Sequence, residues 1–323
     1  MRFAFNGICV ALATGLLSAS PSPSALVATA DGPAKISMCN TTIQVDIEPG
    51  PLDLSREQVL TWVQKSAASV ATYYGRFPVA HTTVSIVPVP DKRGVLSGRT
   101  WGSPSVHHRI RLGQHTTAGD LNDDWMMTHE LVHTAFPDLD DSHHWIEEGL
   151  AVYVEPIARV QHGVLPQAQV WSDMIRDMSK GEPQPEDRGL DHTQTWASTY
   201  WGGALFFLQA DVTIRERTGN RKGLQDALRA MVATKTIESN ANPEEMFRIG
   251  DRAVGVTVLE NMYLEMSHKP VAIDLNGLWK KLGVEVTPSG AIHYDDNAPD
   301  AAIRKAIFLP RDSCAAGASA PIE

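Results

Sequence analysis

Cysteine is nearly absent from this chain, with three among 323 residues. Cys9 lies in an apolar N-terminal run, which leaves Cys39 and Cys314, one near each end and too few for a cysteine-clustered metal centre. Basic clusters are missing as well. The formal net charge is −10, from 38 acidic and 28 basic side chains, so nucleic acid and anionic lipid are poor partners. Beyond the N-terminus no stretch is apolar enough to span a bilayer. There is no internal repeat, coiled coil or low-complexity tract apart from a short Ala/Ser-rich tail at 314–321. What remains is a globular chain with 43% hydrophobic residues, enough for a sizeable core in one or two lobes.

The N-terminal run itself carries information. Met1-Arg2 leads into apolar residues from Ile8 to Ala19, then small residues and Ala28-Thr29-Ala30. That pattern predicts an export signal over residues 1–30, too short to span comfortably and removed on export. The mature protein is then periplasmic or extracellular, with no stable membrane insertion. In an oxidising compartment Cys39 and Cys314 can pair; two free thiols are the alternative. Asn40-Thr41-Thr42 fits a glycosylation acceptor, though the tripeptide is common.

The feature richest in chemistry is His129-Glu130-Leu131-Val132-His133. On a helix the two imidazoles project from one face and can reach a single ion, with Glu130 beside them to hold a water. Two His ligands and a Glu general base are the mechanics of an H-E-x-x-H zinc site. Apolar neighbours (Trp125, Met126, Met127, Leu131, Val132, Phe136) predict a buried helix, and Pro137 ends it. A third ligand is needed to leave one tetrahedral position open. Phe136 and Leu139 stand where a metzincin would carry Gly and His, which excludes that class. Glu148 is the leading candidate, because Trp145 to Tyr153 reads as a second apolar helix able to pack antiparallel to the first. His143 and His144 are rivals, and Asp138, Asp140 and Asp141 weaker ones.

His129-Glu-x-x-His133 followed by Trp145-x-x-Glu148-Gly149-x-Ala151-x-Tyr153-x-Glu155 resembles the gluzincin peptidases. It is most similar to the aminopeptidase N, glycyl aminopeptidase and peptidase MA-like families. The resemblance implies that His129, His133 and Glu148 bind Zn2+ and that Glu130 is the base. It also makes Glu155 a carboxylate supporting a zinc-ligand His, with an ordinary exposed Glu as the alternative. Thr199-Tyr200-Trp201-Gly202-Gly203, running on through Asp211 to Gly219, resembles a second family segment whose Tyr stabilises the oxyanion, the position taken by Tyr200. Gly202 replaces the family Lys. The Gly-x-Met-Glu-Asn signature that grips a substrate amino terminus is absent upstream of His129. Hydrolase chemistry therefore transfers better than aminopeptidase specificity.

These features predict an α+β, thermolysin-like zincin catalytic domain. A strand-rich N-terminal lobe covers 31–118, a mainly helical zinc-binding lobe 119–313, and a tail 314–323. Strands are expected at Thr41 to Ile47, Thr82 to Val89 and His108 to Leu112, and an amphipathic helix at Leu54 to Tyr74 with Ser55 near its start. Gly94 to Ser105 reads as a hairpin or loop. Residues 99–112 are expected to supply a substrate-binding strand edge, with His107, His108 and His115 exposed beside it. Further helices are expected at Gln167 to Met178, Thr195 to Thr218, Lys222 to Thr234, Pro243 to Ile249 and Asp274 to Leu282. The expected function is a secreted zinc-dependent peptidase acting on peptides or proteins. The alternative is an inactive zinc- or peptide-binding envelope protein, against which the complete set of His129, Glu130, His133, Glu148 and Tyr200 argues.

Overall fold

The computed structural model describes residues 32–39 and 41–314. The expected export signal, Asn40 and the tail beyond 314 lie outside the described residues. The chain begins with β1 (Ala34–Met38) and β2 (Thr41–Ile47), in which alternate residues, including Ile36, Ile43 and Val45, point into the core. Helix α1 (Arg56–Tyr74) follows. Its capping box is complete: Gln58 N–H donates to Ser55 Oγ at 3.2 Å and Ser55 N–H donates to Gln58 Oε1 at 2.8 Å. Then come β3 (His81–Val89), β4 (Val95–Trp101) and β5 (His107–Gly113).

The five strands form one mixed sheet in the order β1-β2-β3-β5-β4. β2, β3 and β5 run parallel, and β1 and β4 flank them antiparallel. The outer strand beside the site is therefore β4, residues 95–101. The expected edge at 99–112 is corrected accordingly: its second half is β5, which is hydrogen-bonded on both sides. His108 is corrected too. It shares the inward face of β5 with Ile110 and Leu112 and is fully buried, whereas His115 is exposed.

The remainder is mostly helical: α2 (Ala118–Asp123), α3 (Met126–Val132), α4 (His144–Gln161), α5 (Gln167–Asp177), α6 (Gly203–Thr218), α7 (Leu224–Val232), α8 (Pro243–Val254), α9 (Leu259–Met266), α10 (Leu275–Leu282) and α11 (Ala301–Ile307). A small hairpin, β6 (Val284–Val286) and β7 (Ile292–Tyr294), separates the last two. The helix expected at 195–218 is divided: Ala197–Gly202 is a π-helical turn, and α6 proper begins at Gly203. Sheet and helices share one hydrophobic core, with Val63, Leu131, Ile146, Phe206 and Phe247 among its buried members.

Two features fix the helices around the site. A side chain on Gly149 of α4 would lie 2.3 Å from the backbone of Gly203, and one on Gly203 would lie 2.1 Å from the Trp145 carbonyl. Two glycines thus let α4 and α6 touch backbone to backbone, which brings the Tyr200 turn against Glu148. Below them, buried Asp211 accepts from Tyr153 Oη at 2.9 Å, Arg215 Nε at 2.8 Å and Leu224 N–H at 2.8 Å, joining α4, α6 and α7. Removing one partner of such a buried pair typically costs about 3–5 kcal/mol. Cys39 and Cys314 form a disulfide with a Cα–Cα distance of 5.8 Å, tying β1 to the segment after α11. Among the described residues, no helix is long and apolar enough to cross a membrane.

Candidate metal centre

Helix α3 is short, and the residues around it hold it in place. The Asp124 carboxylate accepts from the N–H groups of Met126 and Met127 at 3.1 and 3.0 Å and from the Trp62 indole at 3.2 Å, so it caps the helix. At the other end His133 opens a 3-10 turn that stops before Pro137. α3 packs between β4 and α4. His129 and His133, one turn apart, have ring centroids 5.0 Å apart and share the face turned to α4.

Glu148 on α4 completes the cluster. Its Oε2 lies 3.0 Å from His129 Nε2 and 3.8 Å from His133 Nε2. One donor atom from each of these three residues lies within 4.8 Å of the others, the one such grouping among the described residues. The rivals stand elsewhere. His143 Nδ1 pairs with Asp191 at 3.1 Å, while His144 approaches the outer oxygen of Glu148 at 3.3 Å and Glu147 at 3.3 Å. Those two carboxylates push the His144 imidazole up to about 10. Asp138, Asp140 and Asp141 are not part of the grouping.

Burial alone would raise the proton affinity of Glu148, but hydrogen bonds from His129 and His144 outweigh it and hold the carboxyl well below the usual range. Burial, with His129 next to it, pulls His133 down to about 4, so at neutral pH it is an uncharged imidazole with a lone pair to give. The donor set is then two imidazole nitrogens and one carboxylate, which matches a three-ligand zinc site with an open position.

Glu130 faces the other way, toward the sheet. Burial raises its proton affinity, opposed by a hydrogen bond from Thr100 on β4. Thr100 Oγ1 lies 2.6 Å from Glu130 Oε2 and 2.9 Å from His108 Nδ1. The direction of this chain follows from counting protons. Ionised Glu130 only accepts, so the Thr100 hydroxyl proton goes to it, and His108 must donate Nδ1–H to the Thr100 oxygen. Burial pulls His108 down to about 3, so its ring is neutral. Its Nε2, buried without a partner, is then a bare lone pair. β4 passes so close that a side chain on Gly98 would lie 2.5 Å from Glu130 Cγ.

Tyr200 sits in the π-helical turn, its ring stacked at 6.4 Å on His129. Burial and the neighbouring Glu148 carboxylate push its hydroxyl up to about 12, so it stays a donor. Glu155 is buried, but its hydrogen bond is from Arg159 at 2.8 Å, and His129 Nδ1 has no hydrogen-bond partner. Burial pushes Glu155 up to about 7 despite Arg159. Sequence reasoning missed Thr100, which lay in an expected hairpin or loop. It also left out Trp125 and Trp196, which contact His129 and Tyr200 through ring centroids at 5.3 and 5.9 Å. Both pairs have helical i, i+4 spacing, a signal present in the sequence.

No family model matches the chain, and no curated protein matches it. Solved structures do. An aminopeptidase N family protein from Idiomarina loihiensis aligns over 83% of this chain and 53% of its own, with TM-score 0.56 and 11% identity. The fold is gluzincin-like. A variant of an M1 zinc metallopeptidase from Deinococcus radiodurans aligns over 76% of this chain and 54% of its own, with TM-score 0.48 and 14% identity. At such identities the likeness is one of fold alone, and the chain spans about half the length of these structures.

Proposed function

We propose that this chain is an exported zinc-dependent peptidase with a thermolysin-like catalytic domain, using Glu130 as general base. The observation that carries this reading is the convergence of His129, His133 and Glu148 within 4.8 Å, with Glu130 and Tyr200 on either side. His129, His133 and Glu148 would hold the ion. Zinc supplies Lewis acidity there, polarising a carbonyl and acidifying water. Glu130, ionised and oriented by Thr100, takes the proton from the attacking water and delivers it to the leaving amine. Tyr200, whose hydroxyl stays protonated, donates a hydrogen bond to the developing oxyanion. Glu155 pairs with Arg159 and makes no direct hydrogen bond to His129.

The outer edge of β4 offers an extended peptide its backbone groups next to Glu130. β4 carries no carboxylate side chain with which to grip a free amino terminus. N-acetylated peptides are therefore expected to be cleaved alongside free ones, and comparing the two separates endopeptidase from aminopeptidase action. The decisive experiment measures zinc per chain by mass spectrometry together with peptide hydrolysis, in the wild type and in Glu130→Gln. One zinc per chain in both, with turnover lower by about a hundred- to ten-thousand-fold in the variant, is the expected result. No zinc after reconstitution, or unchanged turnover in the variant, overturns it.

A further inference from the structure

A cavity of about 470 Å³ opens beside His129 and Tyr200, between the C-terminal half of α4, α5 and the π-helical turn. Its volume falls in the range of small-ligand sites, roughly 300–1,000 Å³. Its walls are aromatic: Trp125, Trp196 and Trp201 line it with Tyr200, over apolar residues that include Val152 and Leu165. Trp125 and Trp196 are 48% and 61% exposed, and they are the exposed tryptophans among the described residues. Large apolar rings are normally withdrawn from water, so two of them exposed at one cavity mark a surface that is covered in use. The rings run without a break from Trp125 through His129 and Tyr200 to Trp196, with neighbouring centroids 5.3, 6.4 and 5.9 Å apart. This wall is therefore continuous with the candidate centre.

Charge narrows the occupant further. Arg176, on the rim, is paired with Asp173 at 2.7 Å and Asp177 at 2.6 Å, and Arg159 is paired with Glu155 at 2.8 Å. Those charges are already matched, and Asp123 alone of the acidic lining residues is without an ion pair among the described residues. We propose that this cavity is the subsite that selects an aromatic side chain of the peptide substrate, packed against the wall of rings that Trp125 and Trp196 end. The proposal rests on the peptidase reading, which it deepens by naming a substrate class. Flat rings favour an aromatic over an aliphatic occupant, because offset or edge-on stacking adds to simple burial. A basic side chain drawn by Asp123 is the competing occupant.

Two measurements test this, one independent of turnover. In the zinc-loaded protein, a degenerate N-acetylated peptide library read by mass spectrometry is expected to show Phe, Tyr or Trp favoured about tenfold or more over Ala and Lys at one position flanking the cleaved bond. Trp125→Ala and Trp196→Ala are expected to collapse that ratio, with zinc content unchanged. In the Glu130→Gln protein, N-acetyl-phenylalaninamide is expected to shift the indole NMR resonances of Trp125 and Trp196, and N-acetyl-alaninamide and N-acetyl-lysinamide to leave them unmoved. Indole shifts specific to the phenyl probe support the subsite even if no peptide is cleaved, in which case the peptidase reading alone fails. Hydrolysis without aromatic preference, indoles that ignore the phenyl probe, or a preference for Lys overturns the subsite and leaves the peptidase reading standing.

Discussion

Two buried glutamates flank the cleft, Glu130 on α3 turned to the strand wall and Glu148 on α4 in the helix wall, and their surroundings push the two in opposite directions. Glu130, against β4, meets a hydroxyl, and burial dominates to raise its proton affinity. Glu148, on α4, meets His129, His133 and His144, and hydrogen bonds from His129 and His144 overcome burial to hold it ionised. Both side chains are similarly inaccessible, at 7% and 8%. Burial therefore does not separate the proposed ligand from the proposed base here; the neighbours do. A permanently anionic carboxylate suits a metal ligand. One whose proton affinity is raised can accept a proton and give it back.

The harshest break of this contrast is Glu148→Ala, which strips the helix wall of its anion. Zinc affinity is expected to fall by more than about a hundredfold, exceeding the usual loss for a merely supporting partner, and hydrolysis should vanish with it. Metal titration checks this directly. Zinc kept in full would move the third ligand to His144, whose Nε2 already lies 3.3 Å from Glu148. Tyr200→Phe acts on the same wall without touching the donor set. Removing one oxyanion donor should lower kcat roughly a hundredfold or more, with zinc content and KM little changed. An equal loss in metal content would instead make Tyr200 a prop for Glu148, the carboxylate that neighbours it.

The two walls were not equally legible in the sequence. The helix wall was: spacing four apart on α3 and an apolar helix around Glu148 sufficed to expect His129, His133 and Glu148 together, and the structure brings them together. The bounds of β2 were legible for the same reason, since alternation is a local signal, and so was α1, expected from Leu54 but beginning at Arg56 behind its Ser55 cap. The strand wall was hidden because its parts meet only through sheet pairing. Thr100 reaches Glu130 and His108 because β4 pairs with β5 and packs on α3, contacts that span 30 residues of sequence. His108 could still have been read as buried, for it alternates in phase with Ile110 and Leu112. The π-helical turn at Ala197–Gly202 was not legible, because its period departs only locally from that of the helix that follows.

The mildest change sharpens the contrast from the strand side. Thr100→Val keeps the shape of the side chain but removes the one hydroxyl that joins Glu130 to His108. The base keeps its place on α3 and the metal donors keep theirs, so zinc content should not change. Glu130 loses the hydroxyl that fixes which way its carboxylate points and that also lies 3.0 Å from its backbone carbonyl, and catalytic groups lose rate steeply with small misplacements. A drop in kcat of about tenfold is expected, with KM held. Thr100→Ser restores the hydroxyl and should recover most of the rate. The buried His108 donor loses its acceptor in Thr100→Val, so a lowered melting temperature is expected on either reading; a purely structural role for Thr100 would predict no distinction between the two variants in kcat once each is folded. The pair of variants thus decides whether the strand wall aims the base or only supports it.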